Sequence, residues 1–573
     1  MTGFSRRRFL SAAAASGAGC FLPGPGAGSP LPRRRPNVLL VIADEWRAQA
    51  FGHAGDRNAR TPALDAFARE ACVFPNAVSG TPVCCPARAS LLTGQYPLQH
   101  GVYINDVPLE PKGTTLGEAF AGAGYRTGYI GKWHVHGSPE GRWERRLSPI
   151  PREKRFSFDY WKACECTHNY AHSLYYDGDD PAPRYWPGYD AVAQTQDAIG
   201  FIEDRAAGKD PFFLTLSWGS PHFPYMAPEK YDSLYRDRAI DFRPNVPPDR
   251  HAAATEELRN YYAACALLDD CFRDLTAALD RLGIVDDTIV LFMSDHGEMA
   301  WSQGLIRKLA PWEESVAIPL MVRYPTALGR SPQRPAAPIN IPDVMPTLLG
   351  LAGIAVPASV AGTDYSPLLR GRTMRAAPAS AYLNMPVPVW DARMDGLAAY
   401  RGVRTDRYTY VRSIDGPWLL YDNRADPFQR RNRVDDPDHA RVRSALEAEL
   451  TAWRHRLDDA FLPADAYLRR DGLGHYLETK VPVGVSRSPW GDWRSTLPVP
   501  ASQPRSIDAS FDELTRDPLA AGLVEPLLAD AAKGGGGEWR QLSPRIINAA
   551  ASQHLPDGVL AQLDRRLQAL PRP

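Results

Sequence analysis

Two adjacent cysteines stand at the start of a short predicted helix in the stretch PVCCPARASLLTG, residues 82–94. Pro86 suits the first turn of a helix because its missing N–H is no loss there. Good helix formers follow, and Gly94 suits the helix terminus. Cys84 and Cys85 therefore lie where backbone N–H groups and the helix dipole favour an anion or a thiolate. A buried structural thiol or half of a disulfide is the alternative, which this stretch alone leaves open.

Carboxylates follow two continuous apolar runs. PNVLLVIAD ends in Asp44 and is followed by Glu45, and TIVLFMSDHGE runs into Asp295 and His296. A single aspartate after a strand is usually a helix cap, but two such strand ends, each beside another potential ligand, favour a metal site. Hard divalent cations prefer oxygen ligands, chiefly carboxylates.

Lysines and histidines occur at further strand and loop ends. YIGKWHVHG supplies Lys132, His134 and His136, FFLTLSWGSPHFPY supplies His222, and IRKLAPWEES supplies Lys308. Positive side chains, a cation and a helix N-terminus together suit the binding of a tetrahedral oxyanion ester. His136 and His100 are candidates for supporting roles, although a purely structural role is the simpler interpretation of each.

The apolar runs and the stretches between them predict an α/β fold. Continuous β-branched runs are typical of strands covered on both faces. The predicted helices that separate them lie at about 61–71, 114–122, 188–205 and 255–282. In such sheets ligands gather at the carboxyl ends of the strands, so we expect Asp44 and Asp295 to meet in space.

The chain changes character twice after this region. From about 381 the sequence predicts antiparallel strands with tight turns and then an amphipathic helix, at about 438–457. Beyond about 464 it becomes irregular and rich in Pro and Trp, and Gly534–Gly537 form a link. The predicted organisation is residues 1–35 for export, 36–380 for a catalytic α/β domain, 381–463 for a smaller domain and 464–573 for an extension of unknown role.

The N-terminus predicts export. SRRRFL, residues 5–10, followed by an Ala/Gly stretch, is typical of a twin-arginine signal, which directs folded proteins to the translocase of that name. We therefore expect a periplasmic or secreted protein; a basic disordered tail is the alternative. Cys20 as a lipid-attachment site is left open.

The composition of the chain argues against some classes of protein function. The 573 residues carry 66 basic and 66 acidic side chains, which argues against a general nucleic-acid binder. No later segment reaches the roughly 18–20 apolar residues of a membrane span. An oxidising periplasm permits disulfides. Cys265 and Cys271 are candidates, as are Cys164 and Cys166, but the sequence alone does not pair them.

The stretch WKACECTHNYAHSLYY, residues 161–176, has two interpretations. It contains enough Cys and His for a metal site. We favour a loop that forms a wall of the pocket, with His168 and Asn169 as candidate substrate contacts.

Val83–Gly94 resembles the signature of the type I sulfatases, Cys-x-Pro-x-Arg followed by Leu-Leu-Thr-Gly. The resemblance continues through ADEWRAQAFG, GKWHVHG, SPHFPY, SDHGE, WEESVAIPLMVR and RGVRTDRYTYV, and covers about residues 36–460. It implies the alkaline phosphatase-like fold, with a large mixed sheet sandwiched by helices and a smaller C-terminal α+β domain. It also implies the hydrolysis of a sulfate ester.

The resemblance assigns roles to the candidate residues. Cys84 is expected to be oxidised to Cα-formylglycine by a formylglycine-generating enzyme, and Cys85 fills a variable position. The hydrated aldehyde attacks sulfur while positive groups balance the charge of the sulfate. The residues implied for these steps are Arg88, Lys132 and Lys308 for sulfate, His222 as the acid for the leaving alcohol, and His134 as the base that releases sulfate.

The same resemblance implies a metal site. Its expected ligands are Asp44, Asp295, His296 and the modified Cys84, and Glu45, which stands where many members have Asp or Gln, is either a ligand or lies just outside. An exported site rich in oxygen ligands favours one Ca²⁺ per chain, with Mg²⁺ as the alternative.

Two other classes of function remain open at this point. A related hydrolase could cleave phosphonate monoesters or phosphodiesters with the same formylglycine. A binding protein with an unmodified, inactive site is the other, although such a protein would not need both His134 and His222. We expect a sulfated carbohydrate as substrate, with an aryl or alkyl sulfate as the alternative.

Overall fold

The computed structural model describes residues 35–137, 146, 148–171, 173–374, 377–388, 396–474, 505–507, 509, 511–531 and 557–570. The predicted export signal, Cys20 and the Gly534–Gly537 link lie outside these ranges. Within them, none of the helices combines the length and apolarity that crossing a bilayer requires.

Nine strands form one mixed sheet. The strands of the chain are β1 Asn37–Ala43, β2 Cys72–Val73, β3 Ala77–Val78, β4 Arg126–Lys132, β5 Tyr160–Cys164, β6 Leu174–Asp177, β7 Arg184–Tyr185, β8 Phe212–Ser217, β9 Thr288–Ser294, β10 Leu320–Arg323, β11 Ile339–Asn340, β12 Ser380–Met385, β13 Tyr400–Thr405, β14 Tyr408–Ser413 and β15 Gly416–Asp422. The order in the large sheet is β2-β10-β9-β1-β8-β4-β5-β6-β7. The five central strands, from β9 to β5, run parallel, and the flanking pairs are antiparallel. The carboxyl ends of β9, β1, β8 and β4 therefore meet at one edge, as the sequence predicts.

Helices cover both faces of this sheet. The α-helices are α1 Pro62–Ala68, α2 Cys84–Thr93, α3 Pro97–His100, α4 Leu116–Gly122, α5 Asp190–Ala206, α6 Glu229–Asp232, α7 His251–Arg281, α8 Glu313–Val316, α9 Pro325–Leu328, α10 Val344–Ala352, α11 Ser366–Leu369, α12 Ala440–Arg456, α13 Ala464–Arg470, α14 Phe511–Arg516, α15 Pro518–Ala531 and α16 Asp557–Gln568. Alternate side chains of β1 enter two separate cores. One core is shared with α2, α4 and α10, and the other with α1, α5 and α7. This burial explains the unbroken apolar run of residues 38–43.

A second sheet, in the order β12-β13-β14-β15, is antiparallel throughout. One of its faces packs against α12 through Leu450 and Trp453. The other face packs through Leu383 and Val411 against Leu309 and its neighbours in the segment that follows β9. The smaller sheet thus supports a segment that carries Lys308.

The extension after residue 464 begins on the large domain. Tyr467 and Leu468 of α13 are buried in the core that contains α2 and α10. The sequence suggests no such packing for this stretch. The described residues of 505–570 form a small core of their own around Leu514, Val524 and Leu567.

The candidate disulfides are not formed, because every described cysteine is a free, buried thiol. Cys265 and Cys271 lie on the same helix, α7, six residues and roughly 9 Å of rise apart, which is too far for a disulfide. Cys164 packs beside Leu174, whereas the Sγ of Cys166 lies 3.6 Å from Nε2 of His168. None of the four candidate cysteines forms a disulfide.

Candidate active site

The site is assembled at the ends of β1 and β9, which are neighbours in register. Asp44 follows β1 and Asp295 follows β9, and both side chains are buried. The backbone N–H of Glu45 donates to Oδ1 of Asp295 at 3.2 Å. Glu45 has a φ of 67°, in the left-handed region, and its carboxylate contacts His222 and Lys308.

Cys84 lies at the first position of α2 and faces these strand ends. Its Sγ is 3.2 Å from Nε2 of His296 and 3.8 Å from Oδ1 of Asp44. Burial raises the pKa of the Cys84 thiol, and the charge of Asp44 raises it further. The sequence suggests a thiolate at this helix N-terminus, but burial and the nearby carboxylate outweigh the helix dipole.

Four groups here can hold a metal ion. Ligand atoms of Asp44, Cys84, Asp295 and His296 all lie within 4.8 Å of one another. The Nδ1 of His296 lies 3.0 Å from the carbonyl oxygen of Gly297. Since a carbonyl only accepts, Nδ1 carries a proton, and Nε2 can offer its lone pair to the cluster. The donor set of two carboxylates, one imidazole and one sulfur fits a divalent cation.

Glu45 belongs to a second such group, with Asp44 and His222. Its carboxylate oxygens lie 3.2 Å from Nε2 of His222 and 3.4 Å from Nζ of Lys308. Burial raises the pKa of Glu45 well above its ordinary value, with Lys308 acting in the opposite direction. The side chain of Glu45 thus connects Asp44, a member of the first group, with His222 and Lys308.

Arg88 lies in the second turn of α2 and links the metal-compatible cluster to the ends of the strands. Its Nε donates to Oδ2 of Asp295 at 3.0 Å, and its Nη2 lies 3.2 Å from Oδ2 of Asp44. Its Nη1 donates to Oγ of Ser217 at 2.7 Å and to the carbonyl oxygen of Lys132 at 3.0 Å. The planar guanidinium is therefore fixed in one orientation.

Lys132 and His134 follow β4 on the other side of the cluster. The Nζ of Lys132 lies 2.6 Å from Oδ2 of Asp44. Burial opposes the charge of Lys132, but Asp44 holds its pKa well above the ordinary value. His134 is buried, and neither of its ring nitrogens has a hydrogen-bond partner among the described residues. Burial and the charge of Lys132 keep the pKa of His134 well below its ordinary value, so the ring is a neutral base.

His222 and Lys308 contact each other through Nε2 and Nζ. Burial, and then the charge of Lys308, lower the pKa of His222 well below its ordinary value. The ammonium of Lys308 therefore donates to the imidazole. The pair holds a proton next to Glu45.

His168 lies next to His222. Its ring stacks on that of His222, with centroids 4.5 Å apart and planes 4° from parallel. Its Nε2 lies 3.6 Å from Sγ of Cys166. Asn169 is buried, and its Oδ1 has no hydrogen-bond partner within the described ranges.

The two other candidate histidines, His100 and His136, make structural contacts. His100 accepts from the backbone N–H of Val102 through Nδ1, and its Nε2 lies 3.0 Å from Oγ of Ser90. Burial lowers the pKa of His100 to about 3. The backbone N–H of His136 donates to Glu165 at 3.0 Å.

Three side chains that contact the site are not identified by the sequence analysis. Ser217 orients Arg88, Glu298 contacts the backbone before Lys308, and Asp106 pairs with Arg146 at 2.6–2.7 Å and lies 3.9 Å from Nε2 of His134. Ser217 ends an apolar strand and Glu298 lies within SDHGE, so a search of strand ends could have found both. No pattern marks Asp106.

Comparison with known proteins agrees with this geometry. The profile of the Sulfatase family matches residues 36–354, and that of the N-sulphoglucosamine sulphohydrolase C-terminal region matches 301–456. An ulvan-active sulfatase of Formosa agariphila is 39% identical over 449 residues, covering 76% of this chain and 84% of the relative. An endo-4-O-sulfatase of Bacteroides thetaiotaomicron is 30% identical, covering 74% of this chain and 92% of the relative.

A solved structure from the glycosaminoglycan metabolism of Bacteroides thetaiotaomicron superposes with a TM-score of 0.68. It is 28% identical, and the match covers 78% of this chain and 100% of that one. The predicted alkaline phosphatase-like fold is confirmed by this likeness.

Proposed function

The chain belongs to the sulfatase family of sulfuric ester hydrolases, and on this premise we propose that it hydrolyses a sulfate ester of a sulfated carbohydrate with a Cα-formylglycine made from Cys84. The observation that carries the proposal is the position of Cys84. Its Sγ lies at the N-terminus of α2, between His296 and Asp44, four residues before the fixed guanidinium of Arg88.

A divalent cation is held, in this proposal, by Asp44, Asp295, His296 and the modified Cys84, and Ca²⁺ suits the carboxylate-rich donor set better than Mg²⁺. When bound, the ion supplies positive charge that favours the ionised form of the nucleophile and balances the sulfate. The hydrated aldehyde would supply a nucleophilic oxygen in place of a thiol. This oxygen bonds to sulfur while the bond between sulfur and the alcohol oxygen breaks, which leaves a sulfate ester on residue 84; after sulfate leaves, water rehydrates the aldehyde.

The chain's own positive groups hold the sulfate. Arg88, Lys132 and Lys308 approach from three different elements, α2, the end of β4 and the segment after β9. Arg88 and Lys132 are buried and the side chain of Lys308 is 10% exposed, so their charges are screened little by water and act strongly on an anion. Their fixed positions orient the sulfur toward residue 84.

Two proton transfers complete the reaction. The His222–Lys308 pair holds a proton and delivers it to the oxygen of the leaving alcohol. His134, a neutral and unpaired imidazole, takes the proton of the second hydroxyl so that sulfate can leave and the aldehyde re-forms. Both imidazoles are neutral; contact with the ammonium of Lys308 gives His222 the proton that an acid needs, whereas His134 can accept one.

The relatives support a carbohydrate as substrate. One relative is named for activity on ulvan, and a second is an endo-4-O-sulfatase. The test is the rate of hydrolysis, measured as release of the alcohol or of the inorganic acid, for a panel of defined sulfated saccharides, an aryl sulfate, and the phosphate and phosphonate esters of the same aryl alcohol, with Cys84→Ala as control. We expect one saccharide class to be turned over fastest. Faster turnover of the phosphorus esters than of every sulfate ester would overturn the proposal.

We further propose export to the periplasm or beyond by the twin-arginine translocase, after a formylglycine-generating enzyme has modified Cys84 in the cytoplasm. The motif at residues 5–10 supports this route. Replacement of Arg6 and Arg7 by Lys should leave active enzyme in the cytoplasm. Unchanged periplasmic activity in this double variant would show that another route is used.

A further inference from the structure

The segment after β9 has an unusual backbone. We call residues 299–309 the Lys308 loop. Five of its non-glycine residues adopt a positive φ between 44° and 80°: Ala300, Trp301, Gln303, Arg307 and Leu309. Non-glycine side chains rarely adopt this conformation, and it persists only where the surroundings hold it. The question is which group holds this loop.

Glu298 contacts both ends of the Lys308 loop with one oxygen. Its Oε1 accepts the backbone N–H of Ala300 at 2.8 Å and that of Arg307 at 2.7 Å. Next to these bonds, the N–H of Met299 donates to the carbonyl oxygen of Arg307 at 2.6 Å. Glu298 is completely buried, so water cannot replace its oxygen.

We propose that Glu298 is a positioning residue that fixes the Lys308 loop and thereby sets the ammonium of Lys308 against the sulfate and His222. The inference rests on the proposed function, because it takes Lys308 to be a sulfate-binding group. Arg307, the residue tied to Glu298, directly precedes Lys308.

Arg307 has a second contact in this part of the chain. Arg307 itself is held by Tyr225, whose hydroxyl oxygen accepts from Nη1 at 3.0 Å. Removal of the carboxylate would leave two buried N–H groups without an acceptor. A glutamine would keep the Oε1 acceptor.

The experiment compares Glu298→Ala and Glu298→Gln with a control, Asp269→Ala. Asp269 is also buried and accepts two backbone N–H groups, those of Ala63 and Leu64, at 2.8–2.9 Å, but at the start of α1. Amide hydrogen exchange of residues 299–309 is measured in all proteins, because it needs no substrate. We expect faster exchange there in Glu298→Ala only, with the central strands still protected.

Kinetics on a sulfate ester give the second measurement. We expect kcat/KM to fall by about 10²-fold in Glu298→Ala, as for a misplaced catalytic group, and to recover at least tenfold in Glu298→Gln, whereas Asp269→Ala keeps the wild-type value in its folded fraction. If Glu298 acts through Lys308, the double variant with Lys308→Ala should be little worse than Lys308→Ala alone.

Multiplicative losses in the double variant, or unchanged exchange of the loop in Glu298→Ala, would overturn the inference. A wild-type enzyme inactive on every sulfate ester would instead refute the proposed function, and the exchange data would still decide whether Glu298 fixes the loop.

Discussion

Replacement of Arg88 by glutamine should lower the stability of the fold through the electrostatics of the site, an effect that can be measured without an assay of activity. The change removes a buried positive charge that contacts two carboxylates, Asp44 at 3.2 Å and Asp295 at 2.9–3.0 Å. Lys132 still pairs with Asp44, so Asp295 loses more of its favourable charge interactions than Asp44 does. Removing one partner of a buried ion pair costs about 3–5 kcal/mol, and two lost hydrogen bonds to charged groups give a similar figure.

The expected loss without metal is thus about 4 kcal/mol of unfolding free energy, or roughly 4 °C in Tm for a chain of this length. Calcium should stabilise the variant more than the wild type, because both carboxylates become available to the ion and the repulsion from Arg88 is gone. Differential scanning calorimetry in EDTA and in millimolar calcium measures both effects.

The matched control is Arg126→Gln, which breaks an ion pair to Asp210 whose side chains are 60% and 55% exposed. Such a pair contributes about 0–1 kcal/mol. A loss in Arg88→Gln no larger than in this control, or an equal response of variant and wild type to calcium, would refute the electrostatic reasoning.

Two further predictions concern the cysteines and a buried ion pair. Cys85→Ala should keep much of the sulfatase activity, whereas Cys84→Ala should lose nearly all of it with little change in Tm; comparable losses would contradict the assignment. The buried Arg401 guanidinium holds the pKa of Asp459 at about 2, against the opposing effect of burial. This lowered pKa stabilises the fold by about 2 kcal/mol above pH 4, and the contribution is lost as the pH falls from about 4 to 2. Urea denaturation should show that part of the acid dependence in the wild type and not in Asp459→Asn; equal pH slopes would contradict it.

The sequence predicts best what depends on strand ends. Asp44 and Asp295 lie 251 positions apart, yet they meet because β1 and β9 are parallel neighbours. The apolar runs identify both strands and the acidic residues that terminate them. The roles of Cys84 and Arg88 are implied by the resemblance to the sulfatase signature, and helix geometry explains why both face the strand ends, since residues four apart lie on one face of α2.

Loop conformation explains what the sequence does not predict. Glu45 turns toward His222 because of its positive φ, for which no neighbouring residue gives a pattern. Asp106 and His168 reach the site through loops whose path is fixed only by the folded domain. The helix N-terminus suggests a thiolate at Cys84, but burial, which depends on tertiary packing, reverses that preference.

The most direct test of the account is mass spectrometry of the tryptic peptide Glu70–Arg88, from protein made together with a formylglycine-generating enzyme. The account predicts an aldehyde oxygen in place of the sulfur at Cys84, an intact thiol at Cys85, and a sulfatase rate proportional to the modified fraction. Oxidation at Cys85 instead, or full sulfatase activity in protein whose Cys84 remains a thiol, would contradict it.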